Sequence, residues 1–414
     1  MRLAIVCEYF YPDSSGSTPT DLSELVQSFR RVAGDIEINV ITSKNLYRSQ
    51  PGQPQRLPSH EIWDGIRILR LGTARSNRPS LILRLLAGTV FSLAAFAHLL
   101  LRQKYDVLLV VTNPPANGLL GWLYSKTKRG PYIYFINDIY PDVAVALGRV
   151  REDSLAVRLF HQCQRAWLHA AVKVVVVGRC MQQRLIDNYQ MSAARIAVVQ
   201  NWADPAQIRP SPRENSFRQT NRLDGLVVLY GGNFGPYIDF DLILGAAHRL
   251  VARRDITFVL IGDGARRAEI EERISRENLS NVRLFPPVAR VAMNEVMAAA
   301  DICLIPLDER MKGLGSPGKL YTTLAAGRPV IAIVPEGSEV ARVVTEEQCG
   351  VTMLGGNAEL LAAEIERLQA DPELREGMGK RAREALLRRF TLMRATEEFL
   401  RILREAACKK TSRP

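Results

Sequence analysis

The sequence predicts an α/β protein built from two doubly wound parallel-sheet domains that face each other across a cleft. Three observations carry this. The chain has 414 residues, more than one hydrophobic core usually organises and suited to two domains. Continuous Val/Ile/Leu runs alternate with helical segments from end to end, the pattern of a parallel sheet covered on both faces. A polar stretch at 205–225, punctuated by Pro205, Pro210 and Pro212, interrupts the alternation near the middle, as linkers do.

In chain order, RLAIVCEYF reads as the first strand, the loop YPDSSGSTPTD follows, and a helix runs from Asp21 to about Val32. Strands are expected at 38–43, 66–71, 106–112, 131–138, 172–178 and 196–204, with 44–60 as loop, an apolar helix at 81–101 and another helix at 151–171. After the linker the alternation restarts, with strands at 226–232, 257–264, 281–288, 301–307, 329–335 and 350–355. From about Pro372 the chain is helical and charged. The expected organisation is a first domain at 1–205, a linker at 206–225 and a second domain at 226–385. The remainder, 386–414, is a helix and basic tail expected to pack back on the first domain.

The formal net charge of +12 favours anionic partners such as nucleotides or an anionic membrane surface. No zinc-finger spacing, basic zipper or RNP-like strand is present, so nucleic acid is not an expected partner. The six cysteines are widely spaced and form no CxxC pair, which argues against a zinc site and a disulfide framework and fits a reducing compartment. The N-terminus passes directly into a strand with no long apolar h-region, so a cytoplasmic location is expected. The segment LILRLLAGTVFSLAAFAHLLL at 81–101 approaches the length of a membrane span but carries Arg84 and His98. It fits either a core helix or a helix lying in the bilayer surface.

Two familiar nucleotide enzymes are disfavoured. There is no GxxxxGK[ST], and no GxGxxG follows the first strand. Three other loops can meet phosphate. Tyr11–Asp21 joins a strand to a helix start, where free N–H groups favour anions. Gly231, Gly232, Asn233 and Gly235 form a denser glycine cluster after the first strand of the second domain. GLGSPGKLYTTLAAGRPVIA at 313–332 enters a short helix with Lys319 at its start. A cation is not favoured there by the helix dipole, and a bound diphosphate accounts for it.

The blocks YPDSSG, NDIYPDVAVALG at 137–148, YGGNFGPYIDFDLILGAA at 230–247 and ADICLIPL through SPGKLYTTLAAGRPVIA at 300–332 resemble glycosyltransferase family 4, the retaining GT-B enzymes with two Rossmann-like domains. The similarity is greatest to its exopolysaccharide and O-antigen branch and spans essentially the whole chain. The resemblance implies that Gly16, beside Ser17, faces the donor diphosphate, and that Asn137 and Asp138 form the acceptor-side catalytic pair. It implies that Gly232, Asn233 and Gly235 lie under the phosphates and that Lys319 neutralises the leaving phosphate. Ser316, Pro317, Gly318, Leu320 and Thr322 are then further donor contacts, and 285–288, with Pro287 and Val288, is the loop that meets the base. Two departures stand out. The paired glutamates of the last loop are replaced by Leu314 and Thr322, and the arginine expected after the glycine loop is Pro236. Arg310 or Lys312 could supply the missing cation.

The expected reaction is transfer of a hexosyl or N-acetylhexosaminyl unit from a UDP-sugar to a hydroxyl of a lipid-linked or other saccharide. It is expected on the inner face of a bacterial membrane, without a metal or other cofactor. The alternatives are an epimerase or phosphorylase of the same fold, or a non-catalytic partner subunit.

Overall fold

The computed structural model describes residues 1–13, 17–46, 57–72, 81–101, 104–236 and 238–408, with only the backbone at 17 and 81–86. It divides into two compact units, one of residues 1–200 with 392–414 and one of residues 201–391.

In the first unit the order is β1 (Arg2–Val6), α1 (Ser17–Val32), β2 (Glu37–Ser43), β3 (His60–Trp63), β4 (Ile66–Leu71) and α2 (Leu81–Leu101). Then come β5 (Val107–Val111), α3 (Asn117–Thr127), β6 (Tyr132–Ile136), α4 (Asp142–Ala146), α5 (Leu155–Ala170), β7 (Lys173–Val176), α6 (Arg179–Tyr189) and β8 (Ile196–Val198). The sheet order is β3-β4-β2-β1-β5-β6-β7-β8. All neighbours are parallel except β3 and β4, which are antiparallel. β3 was not expected from the sequence, and only its first residue, His60, falls within the segment 44–60 read as loop. Asp64 and Gly65 both have positive φ, 51° and 76°, and close a tight hairpin between β3 and β4.

β5 and β6 are buried at every position, which is why they read as unbroken apolar runs. α3 crosses them closely: a Cβ on Gly121 would lie 2.4 Å from the Tyr132 ring. α2 buries Ala87, Phe91, Ala95 and Leu99, spaced by one turn. Its other side carries Val90, Leu93 and Leu101, exposed by 44%, 65% and 86%. One face is therefore core, and an apolar face remains on the outside. No described helix is long and apolar enough to cross a membrane.

The second unit contains α7 (Ser216–Asn221), β9 (Leu226–Asn233), α8 (Phe240–Arg249), β10 (Ile256–Asp263), α9 (Arg267–Arg276), β11 (Val282–Phe285), α10 (Met293–Ala299) and β12 (Ile302–Pro306). It continues with α11 (Lys319–Ala325), β13 (Val330–Ile333), α12 (Glu339–Glu346), β14 (Gly350–Met353), α13 (Ala358–Ala370) and α14 (Pro372–Arg389). Its all-parallel sheet runs β11-β10-β9-β12-β13-β14, the 3-2-1-4-5-6 order of a doubly wound nucleotide-binding sheet.

The supposed linker at 206–225 is a correction. The second unit begins at Asn201, and this segment is part of it. Arg218 of α7 is buried and pairs with buried Asp301, which also binds Arg213 Nε at 2.6 Å and the Val227 amide at 2.7 Å. A buried carboxylate needs such partners, and they tie 213–218 to the start of β12. The boundary near 386 moves as well. α14 stays with the second unit, and α15 (Leu392–Cys408) returns to the first. There Phe399 sits between Phe29 and Phe135, ring centroids 6.1 and 5.0 Å away.

Candidate active site

In doubly wound sheets, ligands bind beyond the carboxyl ends of the strands where the order reverses. In the second unit that point lies between β9 and β12. β9 ends with Gly232 and Asn233, the loop after it carries Gly235, and the loop after β12 leads through Ser316, Pro317 and Gly318 to Lys319, the first residue of α11. Lys319 Nζ donates to the Tyr230 hydroxyl at 3.0 Å and lies 4.1 Å from the Tyr230 ring centroid. The same hydroxyl donates to the Asn233 carbonyl at 2.8 Å. Gly232 has φ +145°, and a Cβ there would stand 3.1 Å from Lys319 Nζ. Gly262 crosses so closely that its Cβ would meet the Gly232 oxygen at 1.9 Å. Both positions therefore require glycine.

Among the described residues, no carboxylate pairs with Lys319. The residue is half-buried, yet enough protein surrounds its ammonium that desolvation pushes it down to about 7. A charged hydrogen bond and a cation–π contact contribute about 1–3 kcal/mol each toward the hydration the ammonium has lost.

The other expected donor residues divide. The Ser316 carbonyl accepts from Asn201 Nδ2 at 2.8 Å, while its buried Oγ has no partner. Thr322 is half-buried, on the side of α11 away from the core. The Leu320 side chain is fully buried with Tyr321, Leu324 and Ala325 in the core, because the helical period turns it inward, so it leaves only its backbone to face a ligand. Leu314 is also core. Pro287 is exposed and Val288 half-buried in the loop after β11, the far strand of the sheet. Arg310 is not a spare cation, since it forks onto Asp308 with contacts of 2.8 and 2.7 Å. Lys312 is exposed, as is Pro236.

In the first unit, Asn137 and Asp138 follow β6 at its carboxyl end. The Asn137 amide donates to Thr112 Oγ1 at 3.1 Å. The Asp138 carboxyl is partly exposed, yet enough protein surrounds it that desolvation raises it to about 6. Among the described residues it has no hydrogen-bond or ion-pair partner. It does not cap α4, whose N-cap is Pro141 with no side-chain bond. An unpaired, desolvated carboxyl at a strand end is suited to taking or orienting a proton. Gly16 lies outside the described residues, and Ser17 is described only as the first residue of α1.

Sequence reasoning missed the residues that hold these loops. Arg70, fully buried on β4, pairs with Glu61 at 2.6 Å and donates to the Tyr11 carbonyl at 2.8 Å. Tyr11 also stacks on Trp63, centroids 4.2 Å apart, and its amide donates to Ser23 Oγ at 3.0 Å. The signal for Arg70 was legible: strand alternation places it on the buried face with Ile66 and Ile68. Tyr230 lay inside an apolar strand and gave no such signal.

Comparison with known proteins agrees with this geometry. Residues 20–202 match the family "Glycosyl transferase 4-like domain" and residues 225–371 match "Glycosyl transferases group 1". Among relatives, the Pseudomonas aeruginosa protein named glycosyltransferase WbjE is 29% identical over 67% of this chain and 69% of its own. Escherichia coli WcaI, named a colanic acid biosynthesis glycosyl transferase, is 23% identical over 64% of this chain and 67% of its own. Among solved structures, sucrose-phosphate synthase from Thermosynechococcus elongatus aligns with TM-score 0.77 at 17% identity, covering 98% of each chain. Anabaena HepE, crystallised with UDP-glucose, aligns with TM-score 0.70 at 17% identity, covering 98% of this chain and all of its own. Two Rossmann-like units of this kind define the GT-B class of transferases. The chain belongs to glycosyltransferase family 4 and is a glycosyltransferase.

Proposed function

We propose that the chain moves a hexosyl or N-acetylhexosaminyl unit from a UDP-sugar to a hydroxyl of a lipid-linked saccharide, with retention of configuration. The product is an intermediate of a cell-surface polysaccharide, either exopolysaccharide or lipopolysaccharide. Lys319 carries the reading: a half-buried ammonium with no carboxylate partner among the described residues, over Gly232 at the switch point of a nucleotide-binding sheet. The choice of uridine draws support from HepE, whose similar fold was crystallised with UDP and with UDP-glucose. Retention rests on family membership.

As the glycosidic bond to the diphosphate breaks, negative charge grows on the leaving oxygen. Lys319 and nearby backbone N–H groups stabilise that charge in a desolvated setting, where such contacts act most strongly. No metal is needed in this scheme, so transfer should persist in EDTA. Asp138, ionised above about pH 6, orients the acceptor hydroxyl and draws off its proton.

The test is a screen of nucleotide sugars for transfer to membrane extract, alongside calorimetric titration with UDP and GDP. Heat with UDP and label in the lipid fraction are expected. Absence of any nucleotide binding at millimolar concentration overturns the enzyme reading in favour of a partner subunit.

The first unit is proposed to dock on the cytoplasmic membrane surface through the outer face of α2. Val90, Leu93 and Leu101 supply apolar contact there, and the net charge of +12 supplies attraction to anionic lipid. Phe91 takes no part, since it belongs to the core face. The protein is expected to float with anionic liposomes, and Val90→Asp with Leu93→Asp should leave it in the pellet with its melting temperature unchanged. Failure of the unaltered protein to float at both low and high salt removes this proposal.

A further inference from the structure

Tyr230 is fully buried on β9, packed edge-on against Phe240 with ring centroids 5.3 Å apart and tilted against Phe234 at 6.0 Å. A phenol so placed needs a partner for its hydroxyl, and one acceptor would satisfy it. Here, among the described residues, the hydroxyl meets both an acceptor and a donor. Its proton is committed to the Asn233 carbonyl at 2.8 Å, which leaves an oxygen lone pair for Lys319 Nζ at 3.0 Å. The ring adds its electron-rich face, 4.1 Å from the same nitrogen. Lys319 comes from α11, and Asn233 comes from the end of β9. One hydroxyl thus bridges the two elements that flank the switch point.

The geometry points to Tyr230 as a positioning residue for transfer: it fixes the Lys319 ammonium above Gly232 and the backbone of the Asn233 loop in one arrangement before the donor arrives. The inference rests on the reading of Lys319 as the group that meets the leaving diphosphate. Its physical content is preorganisation. A lysine has four flexible side-chain bonds and no carboxylate here to hold it. An electrostatic contact is useful in a transition state only if the charge is in place when it is needed. The cost of ordering the chain is met in the folded protein by the hydroxyl and ring of Tyr230.

Tyr230→Phe tests this, because it removes one oxygen and keeps the ring, the aromatic cluster and the cation–π contact. With the full-length protein, kcat should fall about tenfold, the scale of a hydrogen bond to a charged group. KM for the donor should change less than about threefold, since the loss belongs to the transition state. The decisive reading is a double-mutant cycle with Lys319→Ala. If Tyr230 acts through Lys319, Tyr230→Phe changes kcat by less than about twofold in the Lys319→Ala background. An equal loss in both backgrounds, or wild-type kcat in Tyr230→Phe, overturns the proposal. Should the phenylalanine variant melt early, 3-fluorotyrosine at this position keeps the shape and weakens the oxygen as an acceptor. A smaller loss in the same direction is then expected, and no loss again overturns the proposal. The underlying reading fails in a different way: Lys319→Ala by itself leaves kcat and UDP binding unchanged.

Discussion

Lys319→Ala is expected to lower turnover by at least about tenfold, and by about 10²-fold if the ammonium meets the leaving diphosphate as directly as oxyanion donors meet their anions. The substitution removes the cation and leaves the contact with Tyr230 unmade. The pH profile supplies an independent reading. Burial holds the free lysine near 7, so its charge is lost as pH rises through that value. A bound diphosphate favours the charged form and raises it. The alkaline limb should therefore lie near 7 in kcat/KM, which reports the free enzyme, and higher in kcat. It should vanish from the kcat/KM profile of Lys319→Ala. By the same linkage, UDP binding above pH 7 takes up a proton, and calorimetric heats should vary with the ionisation enthalpy of the buffer. Near-wild-type kinetics in the variant, with the limb still present, would sink the assignment.

Asp138→Asn should cost about 10²-fold or more in kcat, the usual contribution of a positioned acid or base. The amide keeps the size of the side chain and discards the anion. Because Asp138 does not cap α4, the melting temperature should hold. Desolvation raises the carboxyl to about 6, so it is protonated and inactive below that pH, and the acid limb of kcat/KM belongs to it. That limb should disappear in the variant. Retained transfer with an unmoved acid limb would assign the proton to another group.

The sheets were legible because buried parallel strands have no alternation to misread, as in VLLVV and YIYFI. What escaped depended on partners distant in sequence. Arg213 and Arg218 look like solvated linker residues until Asp301, 88 and 83 residues further on, folds against them. The β3–β4 hairpin was announced by Asp64-Gly65, but the polar segment before it masked the signal. Lys319 was legible as a cation at a helix start beside glycines. The helical period separates the side chains of Lys319 and Thr322 from those of Leu320 and Leu324, which face the core. The same period applied to α2 distinguishes Phe91 from Leu93.

The return of α15 to the first unit has a consequence for biosynthesis. Domains usually fold in the order in which they leave the ribosome, the N-terminal one first. Here the second unit is a continuous stretch, 201–391, and has all its parts once that stretch has emerged. The first unit is translated earlier but lacks the helix whose Phe399 lies between Phe29 and Phe135 until residues 392–408 follow. Throughout synthesis of the second unit, apolar surface on β6 and α1 stays uncovered on the nascent chain. The half that is made first is completed last, and a released chain ending at residue 391 would carry every part of the second unit and an unfinished first one.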